Sequence, residues 1–433
     1  MTRAVAGSAR PCALIVLTAA LCACDSAAPP TQRSDNSAAE SADAPADFRY
    51  DREYPAIGYA QRVPVDPLSR IAGQINDGSV TLSFDAQRGY LDAVLDALDI
   101  DPSSQVLVFS RTSLQVEGVT AASPRAIYFS DDLYVAWVPG AESIELAALD
   151  AGLGPVFYTL SQSPTPAAER RVGLCLSCHD SYSMTGGGVP RFITGSGYTG
   201  KDGTIVAHEG WILTSDRTPL RSRWGGWYVS GMHGEQVHLG NIAVDSVYDL
   251  EDLESLRNGN HTDLTGLLDV SAYLTDKSDI VALLVLEHQV TVQNAIVRLN
   301  WDARQHGQFD VEPLVRALLF AGTPGFTDPV SGTAGFEAAF TARGARDARG
   351  RSLREFDLDS RLFRYPLSYV IYSPAFAALP DDVLRAVLLR VAAELTGTDM
   401  RIDDLPGDAA SRAAAWEILI DTRPEFAAMV AVR

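Results

Sequence analysis

The feature that most restricts how this chain can fold is the string GLCLSCH at residues 173–179, near its middle. It holds two cysteines, Cys175 and Cys178, followed at once by His179, and no other cysteine occurs after residue 24. Two thiols separated by two residues share one turn of backbone, so they present their sulphurs to the same side. The rest of the fold must accommodate whatever these three side chains hold.

The N-terminus predicts export, which decides how the string is read. Arg3 and Arg10 precede an apolar run over residues 13–21 that is too short to span a membrane permanently. The string LCAC at residues 21–24 resembles the lipobox of a bacterial lipoprotein. That resemblance implies a signal peptide over residues 1–23 and a lipid on Cys24; an ordinary secretory signal is the alternative.

The mature chain is therefore expected in the periplasm, bound to a membrane through its lipid alone. Asp25, directly after the lipidated residue, resembles an inner-membrane retention signal, which favours the inner membrane slightly. Residues 24–62 are rich in Ala, Ser, Pro and Asp and predict a flexible tether. The net charge of −20, from 35 basic and 55 acidic residues, argues against binding nucleic acid through a basic patch.

The hydrophobic periodicity and glycine content of the remaining chain predict an α+β fold in two regions. Residues 63–250 form a β-rich region that contains the CxxCH string, and residues 251–433 form a mainly α-helical region packed on it. In the first region an amphipathic helix is expected over residues 88–98. It precedes five short β-rich runs, spaced as in an antiparallel sheet, at residues 106–110, 126–130, 133–138, 144–149 and 156–160.

Glycine is dense from residue 167 to residue 247, which predicts tight turns and close backbone approaches and disfavours regular helix there. In the second region, helices are expected over residues 279–304, 381–396 and 409–420. Gly397 stands where the second of these helices should end.

The CxxCH string allows four interpretations. In covalent haem attachment two thiols reach two vinyl groups on one edge of a porphyrin and the adjacent imidazole meets the iron. Structural zinc needs a second close pair of ligands; no second CxxC exists, and His233 and His238 are candidates for that pair. A disulfide of thioredoxin type opens a helix, for which SYSMTGGG after His179 is a poor sequence. Coincidence is the fourth.

At this string the sequence resembles the c-type cytochromes. The resemblance implies one covalent haem c, with Cys175 and Cys178 as the thioether sites and His179 as the proximal iron ligand. More broadly, the chain resembles a group of large bacterial proteins with a single CxxCH. The segments that carry this wider likeness are PRAIYFSDDLYVAWVPG, CLSCH, RWGGWYVSGMHGEQVHLGN, DIVALLVLEHQ and LIDTRPEF.

A second axial ligand to the iron would favour electron transfer, whereas an open position would favour ligand binding or peroxide chemistry. The candidates, in order of preference, are His233, Met232, His238 and His288. His288 stands in the middle of the apolar segment 279–304, where an unpartnered imidazole is costly. Its alternative role is a hydrogen bond to Glu287, to Asn294 or to buried backbone.

The haem propionates need cations or hydrogen-bond donors. Arg221 and Arg223 are the predicted partners, with Arg191 and Arg217 nearby in the sequence, and Trp227 is predicted to close over an edge of the macrocycle. In the alternative interpretation the arginines are solvated and the tryptophan belongs to the core.

Three functions follow. The first is an exported, lipid-anchored haem protein that exchanges electrons with redox partner proteins. The second is a haem-dependent oxidoreductase, peroxidase-like, with an open distal position. The third is a binding protein without haem, closed by a zinc or disulfide clasp. No GxSxG, P-loop or HExxH string occurs.

Overall fold

Six strands in chain order form one antiparallel meander, in which each strand pairs with the next. Buried side chains alternate with partly exposed ones over residues 125–128 and 143–148, whereas the other long strands are buried at most positions. The computed structural model describes residues 56–113, 115, 118–181, 188–244 and 259–431. The strands are β1 (Val106–Val108), β2 (Arg125–Phe129), β3 (Leu133–Trp137), β4 (Ser143–Asp150), β5 (Gly154–Ser161) and β6 (Ala168–Arg170). The five predicted strands are confirmed, and β6 is an addition.

Among the described residues, two α-helices precede the sheet, α1 (Pro67–Asn76) and α2 (Leu91–Leu98). The second confirms the amphipathic helix expected over residues 88–98, with four leucine and valine side chains buried on one face. The first was not expected, although Asp66 accepts a hydrogen bond from the Ser69 amide as its N-cap and Pro67 starts it.

A 27-residue helix, α4 (Ile280–His306), is the central element of the helical part. Asp279 caps its N-terminus through the amides of Val281 and Ala282, and Gly307 ends it with φ 64°. The helix is long and apolar enough to cross a membrane, but 83% of its most apolar window is buried inside the fold. This helix is therefore a core helix of the fold.

Side-chain amides of α4 tie it to the sheet. The Tyr134 hydroxyl on β3 donates to Gln293 Oε1 at 2.6 Å and accepts from Gln289 Nε2 at 2.8 Å. At Gly154 (φ 85°) a Cβ atom would lie 2.6 Å from Val297, so the start of β5 also lies directly against this helix. Sheet and helices are consequently parts of one unit, which extends over residues 47–433.

Shorter helices complete the C-terminal part, and the predicted helices over residues 381–396 and 409–420 are confirmed. The former ends at Gly397, with φ 73°, as expected. These helices are α5 (Glu312–Leu318), α6 (Phe336–Ala342), α7 (Pro374–Ala377), α8 (Asp381–Thr396), α9 (Ala409–Thr422) and α10 (Pro424–Ala431). The α+β class and the order of its regions are thus as predicted.

The glycine-rich middle is mostly irregular, with two small ladders that pair β7 (Gly195–Ser196) with β9 (Ile212–Leu213) and β8 (Thr199–Gly200) with β10 (Ala243–Val244). A Cβ at Gly225 would lie 2.7 Å from the Gly197 backbone, which confirms the predicted close approach. The expectation that this stretch lacks helix was wrong at one place, because α3 (Gly173–His179) contains the CxxCH string itself.

Two boundaries predicted near the N-terminus have different outcomes. The signal peptide over residues 1–23 and the lipidated Cys24 lie outside the described residues. The sequence predicts a flexible tether that ends at residue 62, but Ile57 and Tyr59 are buried. The Tyr59 hydroxyl donates a hydrogen bond to the Pro155 carbonyl at 2.5 Å. Folded structure thus begins before residue 62, because these two side chains pack into the core.

Candidate functional site

The two cysteines of the CxxCH string lie on one face of α3. Residues three apart on a helix are neighbours, so Cys175 and Cys178 present their sulphurs to the same side. Cys178 is exposed, Cys175 is half-buried against the core, and no disulfide joins them.

The imidazole of His179 is fixed in one tautomer by its neighbour along the chain. Its Nδ1 lies 2.6 Å from the Arg191 carbonyl oxygen, which can only accept, so Nδ1 carries the proton. The Arg191 amide in turn donates to the His179 carbonyl at 2.9 Å. Nε2 makes no hydrogen bond to any described residue, and its lone pair is the group left for a metal ion.

Packing keeps this imidazole neutral. The ring lies against Phe157 of β5, with 4.3 Å between ring centroids. Burial lowers the pKa of His179 to about 4, with a smaller lowering from the Arg125 charge opposed by the hydrogen bond to Arg191. A neutral imidazole is the form that coordinates a metal.

The acceptor for His179 is itself held by the long helix. Asn294 of α4 accepts from the Phe192 amide and donates to the Phe192 carbonyl, both at 2.9 Å. This pair of bonds fixes the backbone next to Arg191 and so fixes where its carbonyl points. Sequence reasoning missed this role for Asn294; the signal was a polar residue in a largely apolar helix, which needs a partner.

The residue whose carbonyl bonds the imidazole, Arg191, also carries a cationic side chain. Arg191 is half-buried, and its Nε has no hydrogen-bond partner among the described residues. Burial lowers its pKa, and the nearby Arg298 charge lowers it further. The charges of Asp302 and Asp180 partly oppose this, and a hydrogen-bond acceptor at Nε would supply the missing bond.

The residues predicted to hold propionates lie in different surroundings. Arg223 is buried and donates to Glu287 Oε2 at 3.0 Å and to the carbonyls of Thr218 and Asp216 at 2.6 Å. Arg221 is exposed in a short 3-10 turn. The Trp227 indole donates to the Gly195 carbonyl at 2.9 Å and is buried. The internal bonds of Arg223 and Trp227 disfavour the predicted roles, whereas Arg191 Nε has no hydrogen-bond partner among the described residues.

The predicted distal ligands fall into two groups. His233 and His238 are both buried, with 4.8 Å between ring centroids. His233 Nε2 lies 3.1 Å from the Gly259 carbonyl, and His238 Nδ1 accepts from the Gly240 amide at 3.0 Å. Met232 is 42% exposed. Within the described part of the chain none of these side chains hydrogen-bonds to His179 or stacks on its ring, and their roles stay predictions.

His288 has both ring nitrogens engaged elsewhere. Nδ1 lies 2.7 Å from Asp216 Oδ2, and Nε2 lies 2.7 Å from Ser368 Oγ. The expected partners were Glu287, Asn294 or backbone, yet Glu287 pairs with Arg223 instead. With its two nitrogens in hydrogen bonds, His288 has no lone pair available for iron in this arrangement.

The zinc interpretation lacks a ligand set within the described ranges. No three or more His, Cys, Asp or Glu side chains there lie close enough together to hold a metal ion. His233 and His238 therefore have no third ligand among these residues. Covalent haem needs no such group, since it requires two thiols on one side, one neutral imidazole with Nε2 unbonded, and a cation for the propionates. The residues of α3 and Arg191 fit that requirement.

Comparisons of this chain with protein-family models, with curated proteins and with solved structures find no match. What the chain does is therefore argued from the residues of its own sites.

Proposed function

We propose that this chain is an exported, lipid-anchored c-type haem protein that acts in electron transfer. One haem c would be held by thioether bonds to Cys175 and Cys178, with His179 as the proximal ligand. The observation that carries the proposal is the hydrogen bond from His179 Nδ1 to the Arg191 carbonyl, which leaves Nε2 without a hydrogen bond to any described residue, on the same short helix as Cys175 and Cys178.

Covalent attachment of the haem would need no oxidant. Each thioether would form by addition of a cysteine S–H across a vinyl C=C bond, with the sulphur bonding to one carbon and the hydrogen to the other. When bound, the haem supplies an iron that gains or loses one electron. The chain's own contribution is to hold the proton at His179 Nδ1, to aim Nε2, and to offer Arg191 to a propionate.

The hydrogen bond at Nδ1 also tunes the ligand. A carbonyl acceptor makes the imidazole more basic and fixes its orientation, which is the usual arrangement behind a metal-bound histidine. Because the acceptor is backbone and is itself clamped by Asn294, little rearrangement would accompany a change of charge at the iron. This rigidity favours electron transfer over the alternative of a haem-dependent oxidoreductase with an open distal position.

The charge of the chain bears on its partners. The net charge of this chain is −20, so its surface would attract the basic face of a redox partner. The association would weaken at higher salt, which screens the attraction. The signal peptide and Cys24 would place it in the periplasm, at a membrane.

The test is expression of the full chain together with the enzymes that attach haem, followed by a pyridine haemochrome spectrum of the purified protein. We expect covalent haem that survives acid acetone extraction, a shifted spectrum in Cys178→Ala, and no change in the matched variant Ser177→Ala on the same helix. A wild-type protein without covalently retained pigment would overturn the proposal.

A second measurement separates electron transfer from the oxidoreductase alternative. Electron transfer predicts a low-spin spectrum that carbon monoxide and peroxide leave unchanged. A high-spin spectrum that responds to either would replace the first function by the second. For the anchor, Cys24→Ser is expected to release the protein from the membrane fraction.

A further inference from the structure

A pocket on the helical side of the molecule contains polar groups that the haem proposal does not use. It has an empty volume of about 510 Å³, counting the part open to solvent. Asp216 and His288 lie in it, and the other polar groups that line it are Arg223, Thr323 and Arg361. Its remaining walls are apolar, formed by Leu284, Phe320, Pro324, Phe326, Leu362, Phe363, Pro366 and Pro406.

The rings of the pocket are packed against the imidazole. Phe320 stacks on His288, with 4.2 Å between centroids and 19° between planes, and Phe363 stands edge-on to the same imidazole at 5.9 Å. Phe320 has φ 56°, a left-handed conformation that is unfavourable for an aromatic residue. Strain of this kind concentrates at binding sites, where the surrounding structure must hold a side chain in place.

Two oxygens in this pocket are buried without a hydrogen-bond partner among the described residues, Asp216 Oδ1 and Thr323 Oγ1. Asp216 is only 4% exposed, and its other oxygen is engaged by His288. A buried carboxylate oxygen without a partner is costly, so a group that donates a hydrogen bond to it would be held strongly. The carboxylate can only accept, and therefore the ligand must donate.

The charges around Asp216 select among donors. Arg223 is neutralised by Glu287 at 3.0 Å, and Arg361 lies 3.7 Å from Asp357. A cationic ligand would have to lose its hydration in a largely apolar pocket, and an anionic one would meet Asp216. A neutral hydroxyl meets neither penalty, and aromatic and proline walls suit a flat ring.

We infer that this pocket is a binding site for a small, neutral aromatic compound that carries a hydroxyl group. The ring lies among Phe320, Phe326 and Phe363, and the hydroxyl donates to Asp216 Oδ1 with Thr323 Oγ1 as its second polar contact. The site does not require haem, so it stands or falls independently of the proposed function.

Calorimetric titration of the purified full-length protein tests this with four probes of matched size: phenol, toluene, benzylamine and benzoate. We expect saturable binding of phenol, at least about tenfold tighter than that of toluene, which lacks the donor. The two charged probes should bind more weakly than phenol.

Two variants test the polar contacts. Thr323→Val keeps the shape of the side chain and should weaken phenol binding about fivefold, and Asp216→Asn should weaken it further. Thr327→Val, an exposed neighbour that does not line the pocket, should leave phenol binding unchanged. If Asp216→Asn does not fold, Thr323→Val decides the question alone.

Several results would overturn the assignment. The absence of saturable phenol binding would do so, as would equal affinities for phenol and toluene, which would show an apolar cavity only. Tighter binding of benzylamine would assign the pocket to cations instead. Phenol binding that is unaffected by Thr323→Val would remove the proposed contact.

Discussion

His179 and His288 are held in opposite ways, although each is packed against a phenylalanine ring. The Nδ1 of His179 is bonded to a backbone carbonyl and its Nε2 is unbonded, whereas both nitrogens of His288 are bonded, one to Asp216 and one to Ser368. The first imidazole retains a lone pair for a metal ion and the second does not. A histidine's fitness as a ligand thus depends on the partners of its two nitrogens, more than on its burial.

The largest effect should come from removing the two imidazoles in turn. In haem-loaded protein, His179→Gly should lose the axial ligand, change the visible spectrum to that of a high-spin haem, and recover when imidazole is added. His288→Gly should leave the spectrum unchanged, because that ring is bonded elsewhere. Equal spectral changes in the two variants would contradict the comparison.

For stability the order of the two histidines should reverse. His288→Ala leaves Asp216 buried without its partner, and we expect a loss of about 3–5 kcal/mol in the free energy of unfolding. The measurement is urea unfolding of matched preparations. His208→Ala serves as the control, since that side chain is 56% exposed. A loss of under about 1 kcal/mol for His288→Ala would show that the buried bonds contribute little.

A change of pH should affect the turn between β2 and β3, which holds Asp132, without altering the haem spectrum. Burial, with the neighbouring charge of Asp131, raises the pKa of Asp132 to about 7, and Arg354 partly opposes this. A folded pKa above the unfolded value means that the stabilisation is present at low pH and is lost as pH rises from about 4 through about 7.

Asp132→Asn should therefore raise the free energy of unfolding by about 1–2 kcal/mol at pH 8, with a smaller gain at pH 5. The exposed Asp359→Asn is the matched control and should show no such dependence on pH. An equal gain from Asp132→Asn at both pH values would mean that the carboxyl group is ionised throughout this range.

The smallest effect is expected from the residue that positions the His179 acceptor. Asn294→Ala frees the backbone at Phe192, weakens the bond to His179 Nδ1, and should raise the midpoint potential of the haem by roughly tens of millivolts. Asn300→Ala, on the same helix but bonded to the Ala151 carbonyl, is the control. Redox titration checks both, and equal shifts would remove the positioning role of Asn294.

Local patterns in the sequence predicted most of the fold. Alternation and apolar periodicity gave five of the six strands of the meander and the principal helices, because these depend on neighbours within a few residues. The short β6 was missed, and α1 was missed even though Asp66 and Pro67 form a recognisable helix start. Glycine density outweighed the helical character of residues 173–179, where packing of Leu176 into the core supports one short helix.

The sites were predictable only in part. Cys175, Cys178 and His179 are adjacent in the sequence, so their grouping follows from spacing alone. Asp216 and Ser368 are 72 and 80 residues from His288, and no local pattern connects them. Arg223 was predicted as a haem contact because it is close in sequence to other arginines, but a buried carboxylate on α4, Glu287, holds it instead.

The long helix carries Asn294 and His288 six positions apart, a separation of about 9 Å along its axis. Asn294 positions the backbone that accepts the hydrogen bond of His179, and His288 lines the aromatic pocket. Both residues belong to the same buried helix, so any displacement of that helix along its axis would move both of them. A substitution that displaces this helix is therefore expected to disturb both sites.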